Sequence, residues 1–271
     1  MKQLFLILYF LLPFISINAN EFPFQTKEEL KFDIHYKYGL VMLKAGTANF
    51  NVMEGSYNKK NSFQTRLDFK TTSFFDKIFK MRDTFYSHIT EDLQPLYHIR
   101  TIYEGNYHFR EEIFFNQFST KYTEARIKRE SKGILKFDTI VTSNLHSYDI
   151  LNLILYICSF DYSQFKPNQA ETVCNFIGKE KVSVTIRYEG QSIVEKNNNL
   201  KYNTRKIALD FSDSNFNEAK SAVEIWISDD KNRIPIKIKA KLKIGAAEVH
   251  LSSWKNLKYP LTSEIKIPYK K

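Results

Sequence analysis

The sequence is poor in cysteine, with only Cys158 and Cys174 among its 271 residues. A dense disulfide framework is therefore excluded, and at most one bridge can form within the chain. If the two thiols pair in an oxidising compartment, the closed loop is worth about 3 kcal/mol in the chain-entropy estimate. The alternative is two separate buried thiols, because spacing alone does not show whether their Cβ atoms meet.

Local signatures of catalysis and of nucleotide binding are also missing. The sequence contains no G-x-S-x-G, G-x-x-x-x-G-K-[ST], G-x-G-x-x-G or C-x-x-C segment. No histidine belongs to an H-x-H or H-E-x-x-H segment, the spacings typical of metal sites. We therefore expect no catalytic residues, no metal and no cofactor, and a protein that is not an enzyme.

The N-terminal segment, residues 1–19, is predicted to be a secretory signal peptide. Lys2 provides the positive start, and the apolar run from Leu4 to Ile17 is too short for a stable membrane anchor. Cleavage is expected near Ala19; the alternative is an uncleaved N-terminal anchor. No later segment is long and apolar enough to cross a membrane, so we expect a soluble periplasmic or secreted mature protein.

The chain is basic, with 40 Lys and Arg against 30 Asp and Glu. A positive protein is attracted to anionic surfaces such as phospholipid headgroups or acidic glycans, so peripheral contact with a membrane is one expectation. A nucleic acid partner is not expected, because the protein is predicted to be exported. The lysines are spread along predicted strands, where solvated faces also explain the positive total.

The strongest structural pattern lies near the C-terminus. From Ile234 to Ile244 every second residue is apolar, and the intervening Lys237, Lys239, Lys241 and Lys243 form a candidate cationic face. A period of two predicts a strand with one buried and one wet face. Val223, Ile225 and Ile227 alternate in the same way before the turn SDDKNR, so the two segments are predicted to form a β-hairpin.

Short alternating segments recur along the rest of the chain, which favours an antiparallel meander. The predicted strands are 30–38, 47–53, 62–70, 84–90, 95–103, 109–118, 121–128, 171–176, 181–188, 191–195 and 203–211.

Two segments break this period. Ser147–Phe160 (SYDILNLILYICSF) predicts an apolar helix with Ser147 as N-cap. Ser73–Arg82 has the spacing of a short amphipathic helix, whose apolar side chains suit either a lipid-contacting edge or the core.

Four segments resemble a family of bacterial exported proteins called domain of unknown function 3108. They are Glu28–Phe50, Lys70–Gly105, Tyr148–Gln169 and Ile225–Leu251. The resemblance implies an envelope protein with a curved, mostly antiparallel sheet, and it carries no established activity and no catalytic residues. A curved half-barrel closed by a helix is also similar in architecture to periplasmic lipoprotein carriers, although fold does not decide function.

These observations predict a mostly β protein, a curved, half-barrel-like antiparallel meander with one or two short helices. A single domain, 20–271, is expected to contain subregions 28–145 and 165–261 joined by the helical segment 147–160.

We expect a binding module for a lipid, a lipoprotein or another apolar ligand; the alternative is an interaction protein that uses the cationic face on an acidic glycan or an envelope protein. The oligomeric state is left open. The candidate ligand-lining residues are Phe74, Phe75, Ile78, Phe79, Ile150, Leu151, Ile154 and Leu155.

Overall fold

The computed structural model describes residues 22–119, 121–197, 200–212 and 219–266, so the predicted signal peptide lies outside the described residues. The helices are α1 Ser73–Asp76 and α2 Ile150–Ser159, followed by a 3-10 helix at Tyr162–Gln164. The strands are β1 Glu29–Tyr38, β2 Val41–Tyr57, β3 Lys60–Thr71, β4 Arg82–Ile89, β5 Pro95–Glu104, β6 Tyr107–Ser119, β7 Tyr122–Ser131, β8 Ile134–Ser143, β9 Ser147–Tyr148, β10 Ala170–Ile177, β11 Glu180–Asn197, β12 Leu200–Ser212, β13 Ala219–Ser228, β14 Pro235–Lys241, β15 Ala246–Lys255 and β16 Glu264–Lys266.

All of these strands belong to one sheet. β1 to β8 follow one another as antiparallel neighbours, β10 to β15 do the same, and β15 pairs with β1. β9 runs parallel to β10, and β16 pairs with β12. The sheet curves until its two ends come close, where the Thr123 hydroxyl of β7 donates to the Leu145 carbonyl at 3.0 Å. The predicted curved, mostly antiparallel meander is confirmed, as a sheet nearly closed into a barrel.

Tight turns explain why sequential strands pair. Asn58 and Lys59 connect β2 to β3 with φ of 47° and 66°, and Lys132 and Gly133 connect β7 to β8 with φ of 52° and 73°. Two-residue turns with positive φ match the right-handed twist of the strands they join.

Two hydrophobic clusters fill the interior. The larger packs the concave face of the sheet against α2, through residues such as Leu30, Val52 and Leu155. The smaller cluster connects β6, β7 and β8 to β10 across the gap in the barrel. Its buried members are Ile113, Ala125, Ile127, Val141, Cys174 and Phe176.

Both helix predictions need correction at their ends. α2 begins after Asp149, whose carboxylate accepts from the Leu151 and Asn152 amides; Ser147 belongs to β9 instead, and its hydroxyl donates to the Leu145 carbonyl. α1 stops at Asp76, and the exposed Phe74, Ile78 and Phe79 show that the apolar side chains of the segment have little to pack against.

The C-terminal hairpin is formed by β13 and β14, with Ile225 opposite Ile238. The predicted alternation, however, extends past the end of the strand. β14 ends at Lys241, and the Leu242 amide donates to the Gly245 carbonyl at 3.1 Å to close a turn toward β15. Leu242 and Ile244 are therefore exposed rather than buried.

Candidate functional site

An apolar cavity of about 290 Å³ lies between the sheet and helix α2. The alternation of β1 brings Leu30, Phe32 and Ile34 to the inner face, and α2 contributes Leu151 and Ile154. Among the described residues, Asp83 is the one polar side chain of the lining. The other lining residues are Phe24, Ala48, Phe50, Leu67, Phe69, Phe85, Pro235, Ile238 and Val249.

A buried polar cluster holds the start of α2 against the sheet. Asp149 Oδ1 accepts from the amides of Leu151 (3.0 Å) and Asn152 (3.1 Å), and Oδ2 accepts from Asn152 Nδ2 at 2.5 Å. Ser87 Oγ also donates to Asp149 Oδ1 at 3.0 Å, and His98 Nδ1 lies 3.1 Å from the same oxygen. Burial alone would raise the pKa of Asp149, but His98 and these hydrogen bonds lower it. The charged carboxylate therefore fixes the helix that covers the cavity.

The residue types of this cluster are those of a hydrolase triad, but its geometry differs. His98 Nδ1 lies 2.7 Å from Ser87 Oγ and also contacts Asp149, so one nitrogen faces both partners. A catalytic triad uses separate ring nitrogens for the nucleophile and the carboxylate. All three side chains are buried. The arrangement thus positions α2, and sequence reasoning missed it because the residues lie on three separate elements.

Asp83 is buried at the edge of the apolar cavity. Its Oδ1 accepts from the Tyr103 amide at 3.0 Å. Burial raises the pKa of Asp83 to about 6; the Tyr103 hydrogen bond opposes this shift, and the neighbouring Glu104 adds to it. The cavity therefore contains one carboxyl group that becomes neutral in mildly acidic solution.

Asp83→Asn is expected to stabilise the protein by about 3 kcal/mol at pH 8 and to have little effect at pH 4. The pKa of Asp83 is higher in the folded protein than in the unfolded chain. Between these two pKa values the folded protein keeps the Asp83 proton, whereas the unfolded chain has released it. The stability due to this proton is complete below the unfolded pKa, near 4, and is lost as pH rises through about 6. Urea unfolding of both proteins across this range measures the difference, and a difference independent of pH would contradict the assignment.

A second, partly polar cavity of about 260 Å³ shares Phe85 with the first. Its lining includes Ile150, His98, Arg100, Glu111 and Asn175. Asn175 Nδ2 donates to the Tyr148 carbonyl at 3.0 Å, whereas its buried Oδ1 has no hydrogen-bond partner among the described residues.

Glu111 is the most heavily paired carboxylate near this cavity. Arg100 Nε donates to its Oε1 at 2.8 Å, and Arg129 Nε donates to its Oε2 at 2.6 Å. Both guanidinium groups also lie over the ring of Phe109, at 5.2 and 4.5 Å from the ring centre. The cluster joins β5, β6 and β7 near the gap in the barrel.

A polar pocket of about 480 Å³ opens beside the C-terminal end of α2. Its arginines are already engaged: Arg205 Nε donates to Asp229 at 2.7 Å, and Arg233 Nε donates to the Cys158 carbonyl at 2.9 Å. The mixed charges of this pocket favour no single ligand class.

The structure separates the predicted ligand-lining residues. Leu151 and Ile154 line the apolar cavity, Ile150 lines the partly polar one, and Leu155 is fully buried in the core. The prediction placed four residues of the α1 region with them, but these do not line either cavity. Phe74, Ile78 and Phe79 are exposed, and Phe75 is half-buried.

The four predicted lysines do not form an uncompensated cationic face. Lys237 Nζ lies 2.9 Å from Glu248, and Lys239 Nζ lies 3.9 Å from Glu224. Burial would raise the pKa of Glu248, but Lys237 and its other basic neighbours lower it to about 2, so this carboxylate stays charged. Lys241 Nζ donates to the Lys220 carbonyl, and Lys243 lies beyond the end of β14. Acidic residues from neighbouring strands thus neutralise part of the face.

The two cysteines are free and buried in different clusters, so of the two alternatives the structure has separate buried thiols and not the possible disulfide. Cys158 lies on α2 in the larger cluster, and Cys174 lies on β10 in the smaller one. Burial raises the pKa of Cys158 to about 12, which suits an unreactive core thiol.

Across the described ranges, no three or more His, Cys, Asp or Glu side chains are grouped so that they could hold a metal ion. Within the same part of the chain, no helix has the length and apolar character needed to cross a membrane.

Comparison with known proteins identifies the fold and the family. The crystal structure of a beta-barrel-like protein of domain of unknown function DUF1849 from Brucella abortus is similar, with a TM-score of 0.56 and 8% sequence identity. The similarity covers 86% of this chain and 99% of that chain, and at this identity it shows the fold alone. No curated protein matches the sequence. The model of the family described as protein of unknown function (DUF3108) matches residues 31–252, and the chain therefore belongs to this family.

Proposed function

We propose that the protein is an exported binding module that holds an apolar ligand, the acyl chain of a lipid or lipoprotein, in the cavity beneath α2. The observation that carries this proposal is the lining of that cavity, in which Asp83 is the one polar side chain within the described part of the chain. Ligand sites are typically concave and mostly apolar with few polar groups.

The size of the cavity also supports the proposal. A dry cavity of about 150 Å³ binds benzene in another protein, and small-molecule sites begin near 300 Å³. The volume of about 290 Å³ therefore suits one medium-length chain. Each methylene that leaves water contributes about 0.8 kcal/mol, so several buried methylenes offset the cost of immobilising the chain.

Binding of the uncharged fluorophore N-phenylnaphthylamine to the protein without its signal peptide tests this function, with decanoic acid as competitor. Ile154→Trp places an indole in the apolar cavity and is expected to weaken fluorophore binding by about tenfold or more. Ile150→Trp is the matched control, since it makes the same change one helical turn away, outside that cavity.

Saturable binding that decanoic acid reverses, with a loss confined to Ile154→Trp, is the expected result. Thermal unfolding of both variants checks that they are folded. Absence of saturable binding to the unaltered protein, or equal losses in the two variants, would overturn the proposal.

A further inference from the structure

Exposed apolar side chains are concentrated at one end of the barrel. Among the described residues, fifteen of the nineteen large hydrophobic side chains that are strongly exposed lie in or beside the turns of this end. We call this set the apolar rim. Its members are Tyr38, Leu40, Val41, Met42, Leu43, Phe74, Ile78, Phe79, Tyr103, Tyr107, Ile134, Leu135, Ile177, Leu242 and Ile244.

The strand register brings these turns together. β1 and β15 are paired, and the Tyr36 hydroxyl donates to the Ile244 carbonyl at 3.2 Å, so the β1–β2 and β14–β15 turns are neighbours. The Thr72 amide donates to the Ala45 carbonyl at 2.9 Å, which places the α1 segment beside the start of β2. The Gly105 amide donates to the Lys80 carbonyl at 2.8 Å, which adds the β5–β6 turn.

The rim is also basic. The segments 37–44, 72–81, 103–107, 131–136, 177–181 and 241–245 contain ten lysines against three carboxylates. Lys37 forms an ion pair with Glu248, and Lys44 forms one with Asp33. Of the three carboxylates, Asp76 is already paired with Arg82. The lysines are Lys37, Lys44, Lys77, Lys80, Lys132, Lys136, Lys179, Lys181, Lys241 and Lys243, and the carboxylates are Asp76, Glu104 and Glu180.

We propose that the apolar rim attaches the protein peripherally to an anionic phospholipid bilayer. Leucine, isoleucine and aromatic side chains at turn tips can enter the boundary between headgroups and acyl chains, while flanking lysines contact the lipid phosphates. The side chains ring one end on several separate turns, a geometry that suits a planar surface. A protein partner usually buries one compact patch with few lysines at its centre.

The apolar cavity extends toward the rim end of the barrel. Its lining includes Phe69 and Asp83, which are close to the rim ends of β3 and β4, and it also reaches Leu30 and Pro235, near the opposite ends of β1 and β14. Attachment does not require an occupied cavity, so the rim proposal is independent of the proposed ligand. If both hold, a bound membrane would be adjacent to the ligand site.

Co-sedimentation with vesicles tests the rim, using two parts phosphatidylcholine to one part phosphatidylglycerol and the chain without its signal peptide. Leu40, Ile78 and Ile244, each far more than half exposed, are replaced together by aspartate. We expect the partition coefficient of this triple variant to fall by about tenfold or more. The matched control replaces Met53, Ile140 and Ile193, exposed side chains outside the rim, by aspartate. It has the same added charge and is expected to retain most of the binding.

Two further measurements complete the test. Replacing Lys77, Lys132 and Lys243 by glutamine is expected to weaken binding to the anionic vesicles by about tenfold or more and to reduce its salt dependence. Ile154→Trp is expected to leave vesicle binding unchanged, which separates this proposal from that of the ligand. No binding of the unaltered protein, equal losses in the two aspartate variants, or equal affinity for pure phosphatidylcholine vesicles would overturn the proposal. Rim-dependent binding to an envelope protein without vesicle binding would overturn it as well.

Discussion

Glu111→Gln is expected to reduce the free energy of unfolding by about 3 kcal/mol or more. The Glu111 carboxylate is almost fully buried between Arg100 and Arg129, and glutamine keeps its shape while removing its charge. The two guanidinium groups would then face each other with no neutralising charge. Urea unfolding at neutral pH measures the loss.

The matched control for this experiment is Glu130→Gln. Glu130 pairs with Lys128 at 2.6 Å, but both side chains are about one-third exposed, and solvent screens such pairs so that they contribute little to stability. Comparable losses in the two variants would contradict the assigned role of the Arg100–Glu111–Arg129 cluster. The cluster matters for the shape of the barrel, because Arg129 also approaches Gly178 in the turn between β10 and β11.

Asp149→Ala is expected to destabilise the protein by about 3–5 kcal/mol. The change removes the cap of α2 and leaves Ser87, His98 and Asn152 without their shared buried acceptor. Because α2 covers the apolar cavity, we also expect N-phenylnaphthylamine binding to weaken at temperatures where the variant is still folded. Urea unfolding and fluorophore titration measure the two effects.

Two comparison variants show which property of Asp149 matters. Asp149→Asn retains an oxygen for the helix amides but removes the charge beside His98, so an intermediate loss is expected. Asp161→Ala removes an exposed cap, whose carboxylate accepts from the Ser163 amide at 3.0 Å, and is expected to cost about 1 kcal/mol or less. Equal effects of Asp149→Ala and Asp161→Ala would show that the buried cluster does not stabilise the helix.

Local alternation explains which parts of the sheet could be predicted. β1 and β3 nearly coincide with their predicted segments, because the inward-facing residues of each recur at every second position. β8 was missed because Ile134, Leu135 and Ile140 are exposed, so its apolar residues do not follow its buried face. The predicted strands 181–188 and 191–195 form the single strand β11, which is irregular at Gly190 (φ 112°) and continues past it.

The candidate site was predictable only in part. Helix α2 was recognised from its apolar residues, but the sequence could not separate those that line the cavity from those that complete the core. Leu151 and Ile154 line the cavity, whereas Leu155, one residue further, is fully buried. The distinction depends on the opposing wall, which is built by residues distant in sequence such as Phe69 and Val249.

By itself the sequence determined the β class, the approximate strand order and the apolar helix, since periodicity and turn residues act over a few neighbouring positions. Tertiary structure alone decided how the lysines are neutralised, where the cavity lies and which end of the barrel exposes apolar side chains. Each of these depends on contacts between distant segments. Ser87 reaches Asp149 across 62 positions, and Tyr36 reaches Ile244 across 208. A sequence pattern indicates which residues of a strand can be buried on one face. The curvature and register of the whole sheet decide which other residues, cavity or solvent that face contacts.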